Sequence, residues 1–123
     1  MLADSSPMYC HALASTLMRQ TPANAVEIVC NLEDLEPGIQ QCRPSLVLLD
    51  LGLGSPLNVS GRQVLENIVR QPRSPKVIVL TEDPAPQMTS YVMAAGAFAQ
   101  FDKALEAEAL IQTINQMVQS EAA

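Results

Sequence analysis

The sequence is poor in residues on which several classes of protein function depend. Its 123 residues include one His, two Tyr, two Phe and no Trp. A single histidine excludes metal sites built from several histidines, and it leaves His11 as the only imidazole for a catalytic triad. Because His11 falls on a predicted helix beside Cys10, we do not expect it to be catalytic. The few aromatic residues do not alternate with Lys or Arg, so base-stacking platforms are not expected either.

Basic charge and paired cysteines are also scarce. The 7 Lys and Arg residues are outnumbered by 13 Asp and Glu, which gives a net charge of −6, and the basic residues form no stripe. We therefore do not expect this chain to bind nucleic acid directly. Cys10, Cys30 and Cys42 are odd in number, lack a CxxC pair and lie among apolar residues. This pattern predicts reduced, mostly buried thiols rather than a metal site.

The sequence shows no pattern that predicts a targeting segment or a membrane span. No uncharged run approaches the roughly 20 residues that span a bilayer. Met1-Leu2-Ala3 runs directly into Asp4, without the basic and apolar regions of a secretory signal. The sequence therefore predicts a cytoplasmic protein without membrane contact. Its length fits one domain, residues 1–123.

The chain does contain a regular alternation of apolar runs and helical patterns. Strands are predicted at residues 1–3, 25–30, 46–50, 76–81 and 97–101, and helices at 7–19, 33–42, 60–70, 87–95 and 105–119. The runs at 46–50 and 76–81 are continuously apolar, which is typical of strands covered on both faces. Alternation of this kind predicts an α/β doubly wound fold, with a parallel sheet and helices on both faces.

Apolar residues at helical spacing support three of these helices. They are Leu13, Leu17 and Met18 in the first helix and Val64, Leu65, Ile68 and Val69 in the third. In the last helix, the side chains predicted to face inward are Leu110, Ile111, Ile114 and Met117. Pro37 and Gly38 indicate that the second helix is short or irregular. Gly96 is expected to end the fourth helix in a left-handed conformation.

Polar residues stand where four of the predicted strands end: Asp4, Asp50, Thr81 and Lys103. Any one of them has an ordinary explanation, because a carboxylate after a strand often begins a turn or caps a helix. However, the carboxyl ends of parallel strands meet at one edge, where α/β proteins bind ligands. Their shared placement predicts a functional site at that edge.

At these residues the chain resembles the receiver domains of two-component response regulators. The matching segments are residues 2–7, 48–51, 79–81 and 96–103, and the likeness spans the whole chain. The resemblance implies a five-stranded parallel sheet in the flavodoxin-like order 2-1-3-4-5. It further implies a phosphorelay protein that is not an enzyme beyond self-catalysed phosphoryl transfer and dephosphorylation.

The resemblance also implies a role for each strand-end residue. Asp50 would accept a phosphoryl group from a sensor histidine kinase or phosphotransfer protein. Thr81 and Lys103 would contact the phosphoryl oxygens. Asp4, Asp50 and the backbone carbonyl of Gly52 would bind Mg²⁺, which prefers oxygen ligands.

The pair of acids expected after the first strand is incomplete. Receivers usually carry two adjacent acids there, whereas Asp4 is followed by Ser5. A hydroxyl is a poorer Mg²⁺ ligand than a carboxylate, so weakened affinity for the ion is expected. Glu82 and Asp83 follow Thr81 directly. They could bind the ion through water, repel a phosphoryl group, or remain solvated loop carboxylates.

Two further departures concern the last strand and one loop. Gln100 stands at the switch position, where receivers usually place a Tyr or Phe that moves inward on activation. Phe101 points to the opposite face and is interpreted as a core residue. The loop from Asp50 to Gly61 is longer than usual and could displace the Gly52 carbonyl or cover the pocket.

Two functions therefore remain open on the sequence. A phosphoacceptor would signal through the last two helices and last strand to an output protein or effector domain. A degenerate receiver would use the same face, including Tyr91, for docking that does not depend on phosphorylation. A small enzyme or nucleotide binder is disfavoured, because no glycine-rich phosphate loop opens a helix. The resemblance also allows a homodimer, and the chain is either a single-domain regulator or part of a longer protein.

Overall fold

Five strands alternate with five helices in the computed structural model, which describes residues 1–23, 25–54, 61–82 and 86–122. The strands are β1 Leu2–Ala3, β2 Ile28–Val29, β3 Leu46–Asp50, β4 Lys76–Thr81 and β5 Ala99–Asp102. The helices are α1 Pro7–Gln20, α2 Leu35–Cys42, α3 Gly61–Val69, α4 Pro86–Ala94 and α5 Ala107–Ala122. Among these residues, no helix is both long and apolar enough to cross a membrane.

The strands form one parallel sheet in the order β2-β1-β3-β4-β5. This confirms the predicted fold class and the strand order implied by the resemblance. In register, Asp50 lies opposite Leu80, and Thr81 lies opposite Asp102. The carboxyl ends of β3, β4 and β5 therefore finish at a common edge.

A hydrophobic core lies on each face of the sheet, because successive side chains of a strand point to opposite faces. Val47 and Val79 join a cluster with α2, α3 and α4. Leu48 and Ile78 join a second cluster with α1 and α5. Both faces of β3 and β4 are thus covered, which explains their continuously apolar sequences.

The strands at the sheet edges differ from the sequence prediction. The strand predicted at 25–30 is only Ile28–Val29, since it pairs with just two residues of β1. The strand predicted at 97–101 begins at Ala99 and extends to Asp102. Gly96 does have a positive φ of 112°, as predicted.

One local prediction was wrong, since Cys42 is exposed at the end of α2 rather than buried. Met18 fits the helical spacing of α1 but is 48% exposed on its solvent face. Leu51–Gly54, the start of the predicted long loop, forms a 3₁₀ turn. The rest of the predicted long loop, residues 55–60, lies outside the described residues.

The second helix is continuous despite Pro37 and Gly38. Pro37 lies in the first turn, where a backbone N–H has no partner within the helix. Gly38 donates its N–H to the carbonyl of Asp34 at 2.9 Å. A Cβ at Gly38 would lie 3.1 Å from the Met1 Cε atom, so glycine permits the amino-terminal residue to approach the helix closely.

Candidate functional site at the carboxyl edge of the sheet

Three of the four predicted strand-end side chains meet around a single ammonium group. The Lys103 Nζ lies 2.5 Å from Asp4 Oδ2 and 3.8 Å from Asp50 Oδ2. The Lys103 and Asp4 side chains are only 9% and 1% exposed. Since a charge removed from water requires a partner, this ion pair is a defining feature of the site.

Asp4 is fixed by the start of α1 as well as by Lys103. Its Oδ1 accepts a hydrogen bond from the Ser6 N–H at 2.8 Å, and its backbone oxygen accepts one from the Cys10 Sγ at 3.5 Å. Ser6 is also the N-cap of α1, since its hydroxyl accepts the Tyr9 N–H at 3.3 Å. Both oxygens of the buried Asp4 carboxylate are therefore satisfied within the protein.

Asp50 is the more accessible acid, with its side chain 16% exposed at the end of β3. Its Oδ1 accepts the Gly52 N–H at 3.1 Å from the following 3₁₀ turn. Burial raises the pKa of Asp50, the Gly52 hydrogen bond opposes that shift, and Asp4 adds to it. Asp50 is thus a partly desolvated carboxylate at the mouth of the site.

Lys103 is held in place by a loop whose stabilising residues were not predicted. Its backbone N–H donates to the Thr81 carbonyl at 2.9 Å. The Asp102 Oδ1 accepts the N–H groups of Ala104 and Leu105 at 2.7 and 3.0 Å. The Asp102 N–H in turn donates to Glu106 Oε1 at 3.0 Å. The available signal was Asp102 itself, since an Asp side chain often accepts backbone N–H groups two or three residues later and so stabilises a turn.

Tyr9 is a second residue that sequence reasoning missed. The Lys103 Nζ lies 4.4 Å from the centroid of its ring, within the range of a cation–π interaction. Burial raises the pKa of Tyr9, while Lys103 works in the opposite direction. No sequence signal pointed to this contact, because Tyr9 and Lys103 come from opposite ends of the chain.

The electrostatics of Lys103 reflect its acidic neighbours. Burial acts to lower the pKa of Lys103, but the hydrogen bond to Asp4 and the attraction of Asp50 outweigh it, so the pKa is raised. The Glu82 Oε1 lies 3.9 Å from the same Nζ on a side chain that is 82% exposed. Three carboxylates thus surround one ammonium, which leaves the edge with an excess of negative charge.

The remaining predicted site residues that the structure describes lie at or near this edge. Thr81 ends β4 and is partly buried, and Ser5 is exposed between β1 and α1. Asp83 lies outside the described residues. On β5, Gln100 lies opposite Val79 in register, and its Oε1 is buried without a hydrogen-bond partner among the described residues. Phe101 packs on the α1 and α5 core, as predicted.

The donor set fits a hard cation only in part. Asp4 and Asp50 supply two carboxylates, the number with which proteins often bind a Mg²⁺ that keeps several waters. However, Asp4 Oδ2 is occupied by Lys103. Across the described ranges, no three His, Cys, Asp or Glu side chains are grouped as a metal site. A bound Mg²⁺ would therefore require Lys103 to move away from Asp4.

Solved structures share this fold. The receiver domain of a DNA-binding response regulator from Colwellia psychrerythraea 34H matches with a TM-score of 0.86 and 24% identity, over 96% of this chain and 95% of that one. A LuxR-family DNA-binding response regulator from Staphylococcus aureus matches with a TM-score of 0.80 and 23% identity, over 94% and 93% of the two chains.

A response regulator from Burkholderia pseudomallei, solved with a phosphorylated aspartic acid, calcium ion and citrate, has a TM-score of 0.75 and 22% identity. That match covers 99% of this chain and 71% of the other. No curated protein matches the sequence. The family described as the response regulator receiver domain, by contrast, matches residues 1–115. This match covers nearly all of the chain, including every residue of the carboxyl-edge site, and the chain therefore belongs to the response regulator receiver family of two-component signalling.

Proposed function

We propose that the protein accepts a phosphoryl group on Asp50 from a sensor histidine kinase or phosphotransfer protein. The observation that carries this proposal is the position of the Lys103 Nζ, 3.8 Å from Asp50 Oδ2 in a pocket where the lysine is 9% exposed. An ammonium at this distance is placed to neutralise charge that arrives on the carboxylate. Phosphoryl transfer depends chiefly on such positioning and charge neutralisation.

The proposed reaction is a direct displacement at phosphorus. An Asp50 carboxylate oxygen forms a bond to the phosphorus as the phosphorus–nitrogen bond of a phosphohistidine breaks, and the leaving imidazole takes up a proton. Lys103 and Thr81 donate hydrogen bonds to the phosphoryl oxygens. Water reverses the modification by hydrolysing the acyl phosphate, so no further enzyme activity is proposed.

Asp4, Asp50 and the Gly52 carbonyl are the proposed Mg²⁺ ligands. When bound, the ion supplies positive charge to the phosphoryl oxygens. The excess of carboxylates at this edge favours a cation there, whereas the Lys103–Asp4 ion pair and the exposed Ser5 oppose tight binding. We therefore propose that the affinity for Mg²⁺ is weakened. Glu82 is close enough to Lys103 to contribute to the charge of the site.

Output is proposed to pass through the face formed by α4, β5 and α5, to a separate protein, an effector domain or a second copy. Exposed apolar side chains on the two helices support this, because Tyr91 is 41% and Met93 44% exposed on α4, and Val118 is 37% exposed on α5. Gln100 lies on the strand between them and takes the switch position. We also propose that the protein lies in the cytoplasm, the compartment that it would share with the catalytic part of a sensor histidine kinase.

A degenerate receiver is the second candidate. The occupied Asp4 carboxylate and the missing second acid at Ser5 favour it, since both reduce the affinity for Mg²⁺ on which phosphorylation would depend. Such a protein would use the α4, β5 and α5 face for docking without covalent modification.

Phosphorylation of the purified chain separates the two candidates. The protein is incubated with Mg²⁺ and acetyl phosphate, and its intact mass is measured. We expect the gain of one phosphoryl group, which hydroxylamine removes because an acyl phosphate is susceptible to that nucleophile. The gain should be lost in Asp50→Asn, which keeps the side-chain shape but removes the nucleophile.

Glu27→Gln provides the matched control. Glu27 is an exposed acid that precedes β2, so it lies at the opposite edge of the sheet from Asp50. This variant should gain the same mass as the parent protein. If the parent gains no mass from acetyl phosphate or from a phosphohistidine donor, the phosphoacceptor role is wrong and the degenerate receiver is favoured.

A further inference from the structure

Tyr9, Lys103, Asp4 and Ser6 form a closed ring of contacts. The Lys103 Nζ lies 4.4 Å from the Tyr9 ring centroid and 2.5 Å from Asp4 Oδ2. Asp4 Oδ1 accepts the Ser6 N–H at 2.8 Å, and the Ser6 hydroxyl accepts the Tyr9 N–H at 3.3 Å. The amino-terminal turn of α1 therefore contacts the lysine through both a carboxylate and an aromatic face.

The environment strengthens this contact. Lys103 is 9% exposed, so water competes little with the aromatic ring for its charge. The Tyr9 ring is half-buried and packs against the core cluster of α1 and α5. Since this packing restricts the ring, Tyr9 offers Lys103 a fixed aromatic surface on the side of the pocket where Asp4 lies.

We propose that Tyr9 is a positioning residue that holds the Lys103 ammonium on Asp4 and so makes it a competitor of divalent cations for that carboxylate. Lys103 is nearer to Asp4 than to Asp50, by 2.5 against 3.8 Å, and the same Asp4 oxygen cannot be shared freely with a second cation. The role assigned to Mg²⁺ rests on the proposed function, whereas the position of Lys103 does not depend on it.

Nuclear magnetic resonance of the lysine side chains tests the aromatic contact. The chain has two lysines, and the second, Lys76, lies 5.1 Å from the centroid of the Phe98 ring. The Lys103 Cε protons should be shifted upfield by the Tyr9 ring current. Tyr9→Leu should abolish that shift, Tyr9→Phe should retain it, and the Lys76 signals should stay constant as an internal reference.

Mg²⁺ titration without any phosphodonor tests the competition. Loss of the ring in Tyr9→Leu should lower the Mg²⁺ dissociation constant by about threefold to tenfold, since Lys103 then leaves Asp4 more readily. Phe98→Leu, which removes the aromatic ring beside Lys76 instead, should leave the constant unchanged. Tyr9→Met serves as a second variant without the ring, should the leucine variant fold poorly.

The outcomes separate this inference from the proposed function. A Lys103 signal that is the same in the parent, Tyr9→Leu and Tyr9→Met would overturn the positioning role. The proposed competition between Lys103 and Mg²⁺ would be overturned if the Mg²⁺ dissociation constant is unchanged or higher in Tyr9→Leu and Tyr9→Met. It would also be overturned if none of the proteins binds Mg²⁺. An intact Lys103 signature in a chain that acetyl phosphate cannot modify would contradict only the phosphoacceptor role.

Discussion

Gly96 is a single residue whose chemistry determines how α4 passes into β5. Its φ of 112° is a conformation that strains any residue with a side chain, and an added Cβ would lie 3.0 Å from Val69 Cγ2. We predict that Gly96→Ala lowers the free energy of unfolding by about 1–3 kcal/mol. Urea denaturation followed by circular dichroism provides the measurement.

Gly38→Ala is the matched comparison for that prediction. Gly38 lies within α2, where alanine is the better helix former, and the nearest obstacle is the flexible end of Met1 at 3.1 Å. This variant should be as stable as the parent or more stable by up to about 1 kcal/mol. Equal destabilisation of both variants would show that the positive φ of Gly96 is not the cause.

Residue roles were predictable from sequence where strand position defines them. Asp50 and Lys103 were predicted at the carboxyl edge because each follows an apolar strand, and the structure brings them within 3.8 Å. Tyr9 was not predicted, because nothing in the sequence shows that its ring meets a lysine from the other end of the chain. Met18 fits the helical spacing of α1 and yet is exposed, since such spacing alone does not define where the buried face ends.

The loop between β5 and α5 is the element that presents Lys103 to the site. Asp102 is 8% exposed and accepts two backbone N–H groups of this loop, while Glu106 accepts the N–H of Asp102. We predict that Asp102→Ala lowers the free energy of unfolding by about 1–2 kcal/mol, because two backbone N–H groups of the loop lose their carboxylate acceptor. It should also weaken the ring-current shift of Lys103, because the lysine backbone loses its support.

Glu108, an exposed acid in the first turn of α5, supplies the control for Asp102→Ala. Glu108→Ala should change stability by less than about 0.5 kcal/mol, as surface substitutions usually do. Chemical denaturation of the two variants in parallel checks the difference. A Lys103 signal that survives in Asp102→Ala would mean that Asp4 and Tyr9 suffice to hold the lysine.

At the level of elements, the sequence predicted central strands better than edge strands. β3 and β4 are buried on both faces, so their apolar runs carry a signal that matches their bounds at Asp50 and Thr81. β2 is short because β1 offers it only two partners, and that limit lies in the pairing rather than in the sequence of β2. The start of α5 was placed too early at Leu105, because the turn that Asp102 stabilises before the helix was not recognised.

The whole molecule brings its two ends together at one edge. Asp4 and Lys103 are 99 residues apart in sequence and belong to the first and last βα connections, yet they form the most buried ion pair of the described site. Parallel strand order alone makes this possible, because the carboxyl ends of β1, β3, β4 and β5 finish side by side. The edge was therefore predictable from the fold class. The ion pair between Lys103 and Asp4 was not predictable, since it depends on side-chain geometry.

Charge balance at this edge gives the last prediction. Ser5 is exposed next to Asp4, where three carboxylates already surround one ammonium. In Ser5→Asp a fourth carboxylate adds a ligand for a hard cation and competes with Asp4 for Lys103, so Mg²⁺ should bind about tenfold more tightly. Because a ligand of the folded state stabilises it by mass action, Mg²⁺ should raise the melting temperature of this variant more than that of the parent.

Ser15→Asp supplies the control, because Ser15 is exposed further along α1 and the variant carries the same added charge. Thermal unfolding is measured with Mg²⁺ and with Na⁺ at matched ionic strength, since simple screening would act on both variants alike. If Mg²⁺ raises the melting temperature of Ser5→Asp and Ser15→Asp equally, the cause is a general attraction of cations to an acidic protein. A gain confined to Ser5→Asp would show that the missing acid, rather than the net charge of −6, limits how firmly the site holds the ion.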